Sequence, residues 1–179
     1  TLMCLEECLK TPNINVALIT DTKLHLEGIF EPLFRDILLD CPEDVRPEYN
    51  KSKFTFYFKN GSQIHLAGTD AGHAEKLRGK KYKAIFIDEA GFCSNLDYIV
   101  KSILIPTLTH TNGKIVMATT PPENPEHEFI PFMEKAEVES KLTKKTIYDN
   151  PLITPEVVEN IKKELGGEDS EGFRREYLC

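Results

Sequence analysis

Two adjacent carboxylates, Asp88 and Glu89, directly follow the apolar run Ala84–Ile87. Such a run predicts a strand buried on both faces of a parallel sheet, and open sheets of this kind form their sites beyond the carboxyl ends of the strands. One carboxylate there can hold Mg²⁺, and a second can orient the water that attacks a phosphate. The pair therefore predicts nucleotide hydrolysis. The alternative is that both acids cap the following helix, whose start favours negative charge.

A second polar strand end follows the apolar segment Lys114–Ala118, where Thr119 and Thr120 precede Pro121. Proline prevents the strand from continuing, and parallel strands would bring this end to the same edge as Asp88. A hydroxyl beside a nucleotide can sense the γ-phosphate and pass its presence to a moving segment. The two threonines are therefore candidate site residues, with ordinary turn residues before a proline as the alternative.

The chain has a dense basic cluster made of Lys76, Arg78, Lys80, Lys81 and Lys83. An arginine directed at a γ-phosphate is one interpretation, because a guanidinium from a neighbouring subunit can stabilise charge on the transferring group. A contact with DNA phosphates and a solvated loop are the other two. The residues alone leave all three open.

The phosphate-binding pattern GxxxxGK[ST], whose amides and lysine cradle phosphates, does not occur in the sequence, where the first glycine is Gly28. A helix that begins near Thr1 and leads into a buried strand is the arrangement that comes after such a loop. We therefore expect the loop to lie before Thr1, and we expect these residues alone to hydrolyse ATP poorly.

The predicted elements alternate between strands and helices. Val16–Ile19 predicts a buried strand, and apolar residues at helical spacing from Lys23 to Leu39 predict the next helix. Asn60-Gly61 between two alternating segments predicts a hairpin. The remaining predictions are helices at 2–9, 96–104, 129–138, 155–165 and 170–178, a third buried strand at 114–118 and a strand near 143–148. This order indicates an α/β protein with a mainly parallel sheet.

Composition limits the classes of function. The 179 residues carry a net charge of −7, which argues against a protein that coats nucleic acid with its whole surface. Any contact with DNA must therefore be local. No apolar run approaches the roughly 18 residues of a membrane span, so no membrane association is expected. The five scattered cysteines include no CxxC pair, which favours a reducing cytosol over a disulfide framework.

A set of short segments carries a family resemblance: Gly61-Ser62, Gly68-Thr69-Asp70, Leu77-Arg78-Gly79, Ala84 to Ala90, Ala118-Thr119-Thr120-Pro121, Asp149-Asn150-Pro151 and Phe173 to Leu178. Their order and spacing resemble the ATPase domain of the large terminase subunit of tailed bacteriophages. The resemblance covers nearly the whole chain. No single segment carries it alone.

The resemblance implies a three-layer RecA-like ATPase that drives double-stranded DNA into a preformed capsid. It implies that Asp88 is the Walker B aspartate that binds Mg²⁺ and that Glu89 is the catalytic glutamate. Thr119 and Thr120 match the coupling motif, which responds to the bound ATP. Arg78 matches an arginine proposed to act on the ATP of the neighbouring subunit in a homo-oligomeric ring.

The resemblance also implies an organisation and a setting. Residues 1–148 are expected to form the ATPase core and residues 149–179 a helical closing segment that leads to a nuclease domain. The expected partners are double-stranded DNA, the portal protein and the small terminase subunit. The expected location is the cytoplasm of the bacterial host, at the portal of the procapsid.

Other functions remain open from the sequence. A DExx-type helicase shares the strand that ends in Asp-Glu, but it has a Ser-Ala-Thr-like motif where this chain has Ala118-Thr119-Thr120-Pro121. A non-catalytic assembly module with a degenerate nucleotide-binding fold would explain the missing phosphate loop. A nuclease with paired carboxylates would need further acids that converge on Asp88, and the sequence does not identify any.

Overall fold

A six-stranded sheet forms the centre of the computed structural model, which describes residues 1–70 and 72–179. Its strands are β1 (Asn15–Thr20), β2 (Glu48–Asn50), β3 (Thr55–Tyr57), β4 (Gln63–Gly68), β5 (Tyr82–Asp88) and β6 (Lys114–Ala118). They lie in the order β2-β3-β4-β1-β5-β6. Strands β4, β1, β5 and β6 are parallel, whereas β3 is antiparallel to both β2 and β4. The predicted mainly parallel sheet with an antiparallel hairpin is confirmed.

The hairpin turn lies where Asn60-Gly61 predicted it. The Phe58 amide donates to the Ser62 carbonyl at 2.9 Å, and the Gly61 amide donates to the Phe58 carbonyl at 3.0 Å. Gly61 has a φ of 84°, a conformation that glycine adopts without the steric penalty of a Cβ atom. The turn joins β3 to β4 and thereby attaches the antiparallel strands to the parallel part of the sheet.

The helix predicted from Lys23 to Leu39 has these bounds. Thr22 caps it, because its hydroxyl accepts from the His25 amide at 3.2 Å and so satisfies one of the donors left free at a helix start. The helix has three consecutive parts: α-helical Lys23–His25, π-helical Leu26–Phe30 and α-helical Glu31–Leu39. It returns the chain from the carboxyl end of β1 towards the antiparallel strands.

The other helical segments agree with most of the predicted positions. They are α-helical Leu2–Lys10, Leu96–Tyr98, Ile105–Leu108, Phe129–Val138, Pro155–Leu165 and Glu171–Phe173, π-helical Ile99–Leu104 and Arg174–Leu178, and 3₁₀ turns at Lys51–Lys53, Asp70–Leu77, Ala90–Phe92 and Ile147–Asp149. The segments from Leu96 to Leu108 are consecutive and form one helix, four residues longer than predicted. In the part of the chain that the structure describes, no helix has the length and apolar character needed to cross a bilayer.

Apolar side chains cover both faces of the sheet, because successive residues of a strand point to opposite sides. One face carries Val16 and Leu18 of β1, which are buried with Cys4, Leu5 and Cys8 of the opening helix. The same cluster includes Phe34 and Phe56, whose ring centroids lie 4.6 Å apart. The alternate residues Ala17, Ile19, Ile85 and Ile87 are also buried, as are Leu96, Ile99, Ile103 and Leu104 of the helix that follows β5. The result is the predicted three-layer arrangement.

One strand prediction was wrong about burial, and another was wrong about the strand itself. Lys114–Ala118 does form β6, but its residues are half-buried or exposed, because β6 pairs only with β5 in the described sheet. An apolar run does not reveal whether a strand is flanked on one side or on both. The strand predicted near Thr143–Tyr148 is an irregular segment followed by the turn Ile147–Asp149. Asp149 accepts from the Thr146 amide at 2.7 Å, and this local bond favours a turn over an extended strand.

The chain forms two compact units, Thr1–Thr119 and Thr120–Cys179. The first contains the sheet. The second is helical, and its small core consists of Ile147, Val158 and Phe173, with Tyr177 stacked on Phe173 at 5.2 Å between ring centroids. The proposed functional division after residue 148 concerns the domains of the whole protein and stays a prediction.

Candidate active site

The carboxyl ends of the parallel strands lie side by side. Thr20 at the end of β1 is in register with Gly68 of β4, and Asp88 at the end of β5 is in register with Ala118 of β6. Asp88 at the end of β5, Glu89 directly after it and Thr119 directly after β6 therefore lie at one edge, as the sequence predicted. In open parallel sheets this edge is where ligands bind.

Glu89 has an unusual backbone conformation. Its φ and ψ are 53° and 41°, which lies in the left-handed region and costs a residue with a Cβ atom roughly 1–2 kcal/mol. The turn Ala90–Phe92 begins directly after it. Non-glycine residues in this region are concentrated at functional sites, where the surrounding structure holds them. This conformation interrupts the extended backbone directly after Asp88, which is the last residue of β5.

Thr119 links the end of β6 to the turn after β5. Its hydroxyl accepts from the amide of Gly91 at 3.1 Å and lies 3.4 Å from Oε2 of Glu89. A hydroxyl has one proton and can accept as well as donate, so both bonds form together when Thr119 donates to the carboxylate. Thr120 follows directly and is the first residue of the second compact unit. The division of the chain thus falls between the two candidate threonines.

The structure adds residues at this edge that the sequence analysis missed. The Thr69 amide donates to the Thr20 carbonyl at 2.9 Å, and its hydroxyl donates to the Asp21 carbonyl at 2.7 Å. The Cys93 thiol donates to the Glu89 carbonyl at 3.5 Å. Asp21 directly follows a buried strand, as Asp88 does, so the same rule applied to β1 would have found it. Thr69 belongs to one of the segments that carry the family resemblance, but no role was predicted for it, and nothing in the sequence marked Cys93.

Cys93 lies close to the acids at this edge of the sheet. Burial raises the pKa of its thiol to about 11, and the nearby carboxylates of Asp21, Glu89 and Asp88 act in the same direction. Negative charge disfavours the thiolate. The three carboxylates near this thiol give the edge negative charge, which suits a cation better than an anion.

Arg78 does not join this group of residues. Its guanidinium donates to the Glu75 carboxylate, to the Ser102 carbonyl at 2.8 Å and to the Tyr98 hydroxyl at 3.0 Å. These contacts include neither of the two acids. Arg78 lies in the segment that leads into the amino end of β5, and the seven residues of that strand extend over about 20 Å. The side chain is 45% exposed.

The residues at the edge fit half of a magnesium site. Among the described residues, no three of His, Cys, Asp and Glu are placed to hold a metal by themselves. Mg²⁺ is usually bound by one or two carboxylates together with substrate phosphates and water. Asp88 supplies a hard oxygen ligand of that kind, so it fits an ion that arrives with a nucleotide, and Glu89 lies directly after it.

A parallel α/β sheet with paired acids at this edge is the architecture of the RecA-like ATPase class. Within that class, the sequence matches the family described as the terminase large subunit, T4likevirus-type, N-terminal, over residues 5–179, and the chain belongs to this family. Comparison with curated proteins gives no match.

Solved structures agree on the fold. The chain is similar to the large terminase of a thermophilic bacteriophage in complex with ADP, with 17% identity and a TM-score of 0.76 over 99% of this chain. It is similar to the same enzyme in complex with ATP-γ-S, with 16% identity, a TM-score of 0.73 and 99% of this chain covered. It spans 44% and 43% of those two chains. It also matches the large terminase ATPase domain of Thermus phage P74-26, with 16% identity and a TM-score of 0.67, over 97% of this chain and 79% of that one.

Proposed function

We propose that this chain is part of an ATP-driven motor that moves double-stranded DNA into a viral capsid. The observation that carries the proposal is the contact between Thr119 and Glu89 beside Asp88 at the carboxyl edge of the sheet. Family membership and the similarity to large terminases bound to ADP and ATP-γ-S support it.

In this proposal Asp88 would hold the Mg²⁺ that accompanies ATP, and the bound ion would supply charge neutralisation at the phosphates. Glu89 orients the attacking water, since phosphoryl transfer depends mainly on positioning and on charge stabilisation. Thr119 holds Glu89 and is covalently followed by Thr120, the first residue of the second unit. The two threonines would thus connect the state of the nucleotide to a part of the chain outside the sheet.

The 179 residues contain no GxxxxGK[ST] segment. In our proposal they therefore supply the half of the site that binds the metal and positions the water. The loop that cradles the phosphates is assigned to another part of the motor protein. Partners would be double-stranded DNA, the portal protein and the small terminase subunit. The motor would work as a homo-oligomeric ring at the procapsid portal in the cytoplasm of the host bacterium.

Replacing Glu89 with Gln tests the catalytic assignment. In a protein that carries this chain together with a phosphate-binding loop, Glu89→Gln should lower kcat for ATP hydrolysis by about 10²–10⁴-fold and leave ATP binding nearly unchanged. Glu6→Gln removes a carboxylate that is 59% exposed on the opening helix and is the matched control. Normal turnover in Glu89→Gln would contradict the assignment. Failure of the unsubstituted protein to bind and hydrolyse ATP would instead favour a non-catalytic assembly module.

The role proposed for Arg78 is to act on the nucleotide of a neighbouring subunit, because it is exposed and contacts neither acid of its own chain. Subunits with Arg78→Ala and subunits with Glu89→Gln should each be inactive alone. Mixed rings should recover part of the activity, since some interfaces then pair an intact Arg78 with an intact Glu89. Absence of any recovery across all mixing ratios would count against action between subunits.

A further inference from the structure

A second concave site lies on the antiparallel side of the sheet. It is a groove of about 560 Å³, within the range of ligand sites in proteins. Its walls come from the turn before β3, from β3 and β4, and from the segment 73–80. Its lining includes Lys23, Lys53, His65, His73, Lys76 and Lys80. Its lining includes none of Asp88, Glu89 and Thr119, so this groove, which we call the basic groove, is distinct from the candidate active site.

The basic groove concentrates positive charge in an acidic chain. No Asp or Glu belongs to its lining among the described residues, although the net charge of the sequence is −7. Lys23 is paired with Glu27 at 3.2 Å, outside the lining. No described carboxylate lies within ion-pair distance of Lys53, Lys76 or Lys80. Cations that are held close together without a counter-charge create a local field that attracts anions.

The floor of the groove is built around a buried neutral histidine. His65 is 5% exposed, and its Nδ1 lies 2.9 Å from Nζ of Lys80 and 3.1 Å from Oγ1 of Thr55. Nε2 of His65 lies 3.4 Å from Oδ1 of Asn15, which can only accept, so Nε2 carries the proton and Nδ1 accepts from the ammonium of Lys80. His65 thereby fixes Lys80 in a recessed position without neutralising its charge.

The two exposed lysines complete the arrangement. Lys53 ends the turn before β3, and Lys76 lies on the segment that forms another wall of the groove. Both are exposed, whereas Lys80 is recessed between polar and aromatic residues. Two flexible ammonium groups at the mouth and one at the floor suit a chain of successive phosphates that passes across the opening. A compact anion would need its partners to converge on one point.

We propose that the basic groove binds the phosphate backbone of one strand of double-stranded DNA. This inference rests on the proposed function, in which DNA is the substrate. It identifies the surface of this chain that contacts the DNA. The contact is local, as the acidic balance of the chain requires, and it involves phosphates rather than bases. It should therefore depend strongly on salt and little on DNA sequence.

The test measures binding of a labelled 20-base-pair duplex to the 179-residue chain by fluorescence anisotropy, without nucleotide, between 50 and 200 mM NaCl. The double variant Lys53→Gln/Lys76→Gln removes two phosphate contacts, so the slope of log K against log salt should fall by about 1.8. Across this salt range the unsubstituted chain should lose about tenfold more affinity than the double variant. Two duplexes of unrelated sequence should give the same result.

Matched controls separate the groove from charge in general. Lys101→Gln/Lys135→Gln removes two lysines that are 63% and 73% exposed elsewhere on the chain and should change affinity less than twofold. Both double variants should keep the circular dichroism spectrum and unfolding midpoint of the unsubstituted chain, because all four side chains are exposed.

Three results would overturn the proposal: no duplex binding by the unsubstituted chain at 50 mM NaCl, equal salt slopes for the two double variants, or displacement of the duplex by inorganic triphosphate at equal phosphate concentration. The last result would identify a site for a free nucleotide. Because no ATP is present, a failure here leaves the Glu89 assignment untouched. Conversely, loss of the ATPase assignment would not alter the measured binding of DNA.

Discussion

The hydroxyl of Thr119 should stabilise the edge of the sheet through one identifiable bond. The Gly91 amide that donates to it at 3.1 Å belongs to a buried residue, so Thr119→Val leaves that donor unpaired. An unpaired buried amide costs about 1–3 kcal/mol. Valine has nearly the same shape and favours the extended conformation, which offsets a small part of the loss. We expect Thr119→Val to lower the free energy of unfolding by about 1–2 kcal/mol.

Two measurements check this value. For a chain of this size, 1–2 kcal/mol corresponds to a fall in Tm of about 2–8 °C, and urea unfolding should show a lower midpoint with an unchanged m-value. Hydrogen exchange measured by NMR gives the local readout. If the Gly91 amide opens independently of global unfolding, its protection should fall about tenfold or more.

The controls follow from the chemistry of the bond. Thr119→Ser keeps the hydroxyl and should retain most of the protection of the Gly91 amide. Thr109→Val removes an exposed hydroxyl that bonds the Ile105 carbonyl at 3.4 Å and should change stability by less than about 0.5 kcal/mol. If Thr119→Val matched the unsubstituted chain in both stability and Gly91 protection, the link between the strand end and the turn would be refuted.

Two further predictions concern the free energy of unfolding. A Cβ atom at Gly68 would lie 2.5 Å from Oδ1 of Asp70 and 2.6 Å from the amide nitrogen of Lys23, so Gly68→Ala should destabilise the fold by about 1–3 kcal/mol in urea unfolding. Gly28→Ala is the matched contrast, because nothing lies within 4 Å of its added Cβ. It should stabilise the helix by about 0.5–1 kcal/mol. Equal changes in stability for the two variants would contradict both predictions. Burial, and next the Lys80 charge, lower the pKa of His65 to about 4 from 6.5. The stabilisation from neutral His65 is therefore complete above pH 6.5 and is lost as pH falls towards 4. Between these values the unsubstituted chain should lose up to about 3 kcal/mol more than His65→Gln, and parallel pH profiles would disprove this.

Local patterns predicted the elements that depend on neighbours in the sequence. Val16–Ile19, the helix from Lys23 to Leu39 and the turn at Asn60-Gly61 all follow from apolar spacing or from turn chemistry, and all are confirmed. The burial of β6 was not predictable in this way, because it depends on which strands flank it. The apolar run Ile115–Ala118 has the same pattern whether the strand lies at the centre of a sheet or at its edge.

The residues of the candidate site show the same difference between local signals and tertiary contacts. Asp88, Glu89 and Thr119 were predicted because a polar residue directly after a buried strand must lie at the carboxyl edge of a parallel sheet. The left-handed backbone of Glu89 and the buried position of His65 depend on tertiary contacts and have no local signal. His65 lies in an alternating strand, where the pattern alone does not say that both faces are covered.

The two bonds of Thr119 differ in a way that bears on the proposed motor. The bond from the Gly91 amide, at 3.1 Å, has ordinary length, whereas the contact with Oε2 of Glu89, at 3.4 Å, is near the upper limit for a hydrogen bond. The contact with Glu89 is the longer of the two, so we expect Glu89 to exchange Thr119 for a water or a phosphate oxygen more readily than Thr119 leaves the turn. If so, replacing Thr119 with Val should alter the rate of hydrolysis through the orientation of Glu89 even where nucleotide affinity is unchanged. The strand end would then act as a positioning device for the catalytic carboxylate, with the turn at Gly91 as its fixed support.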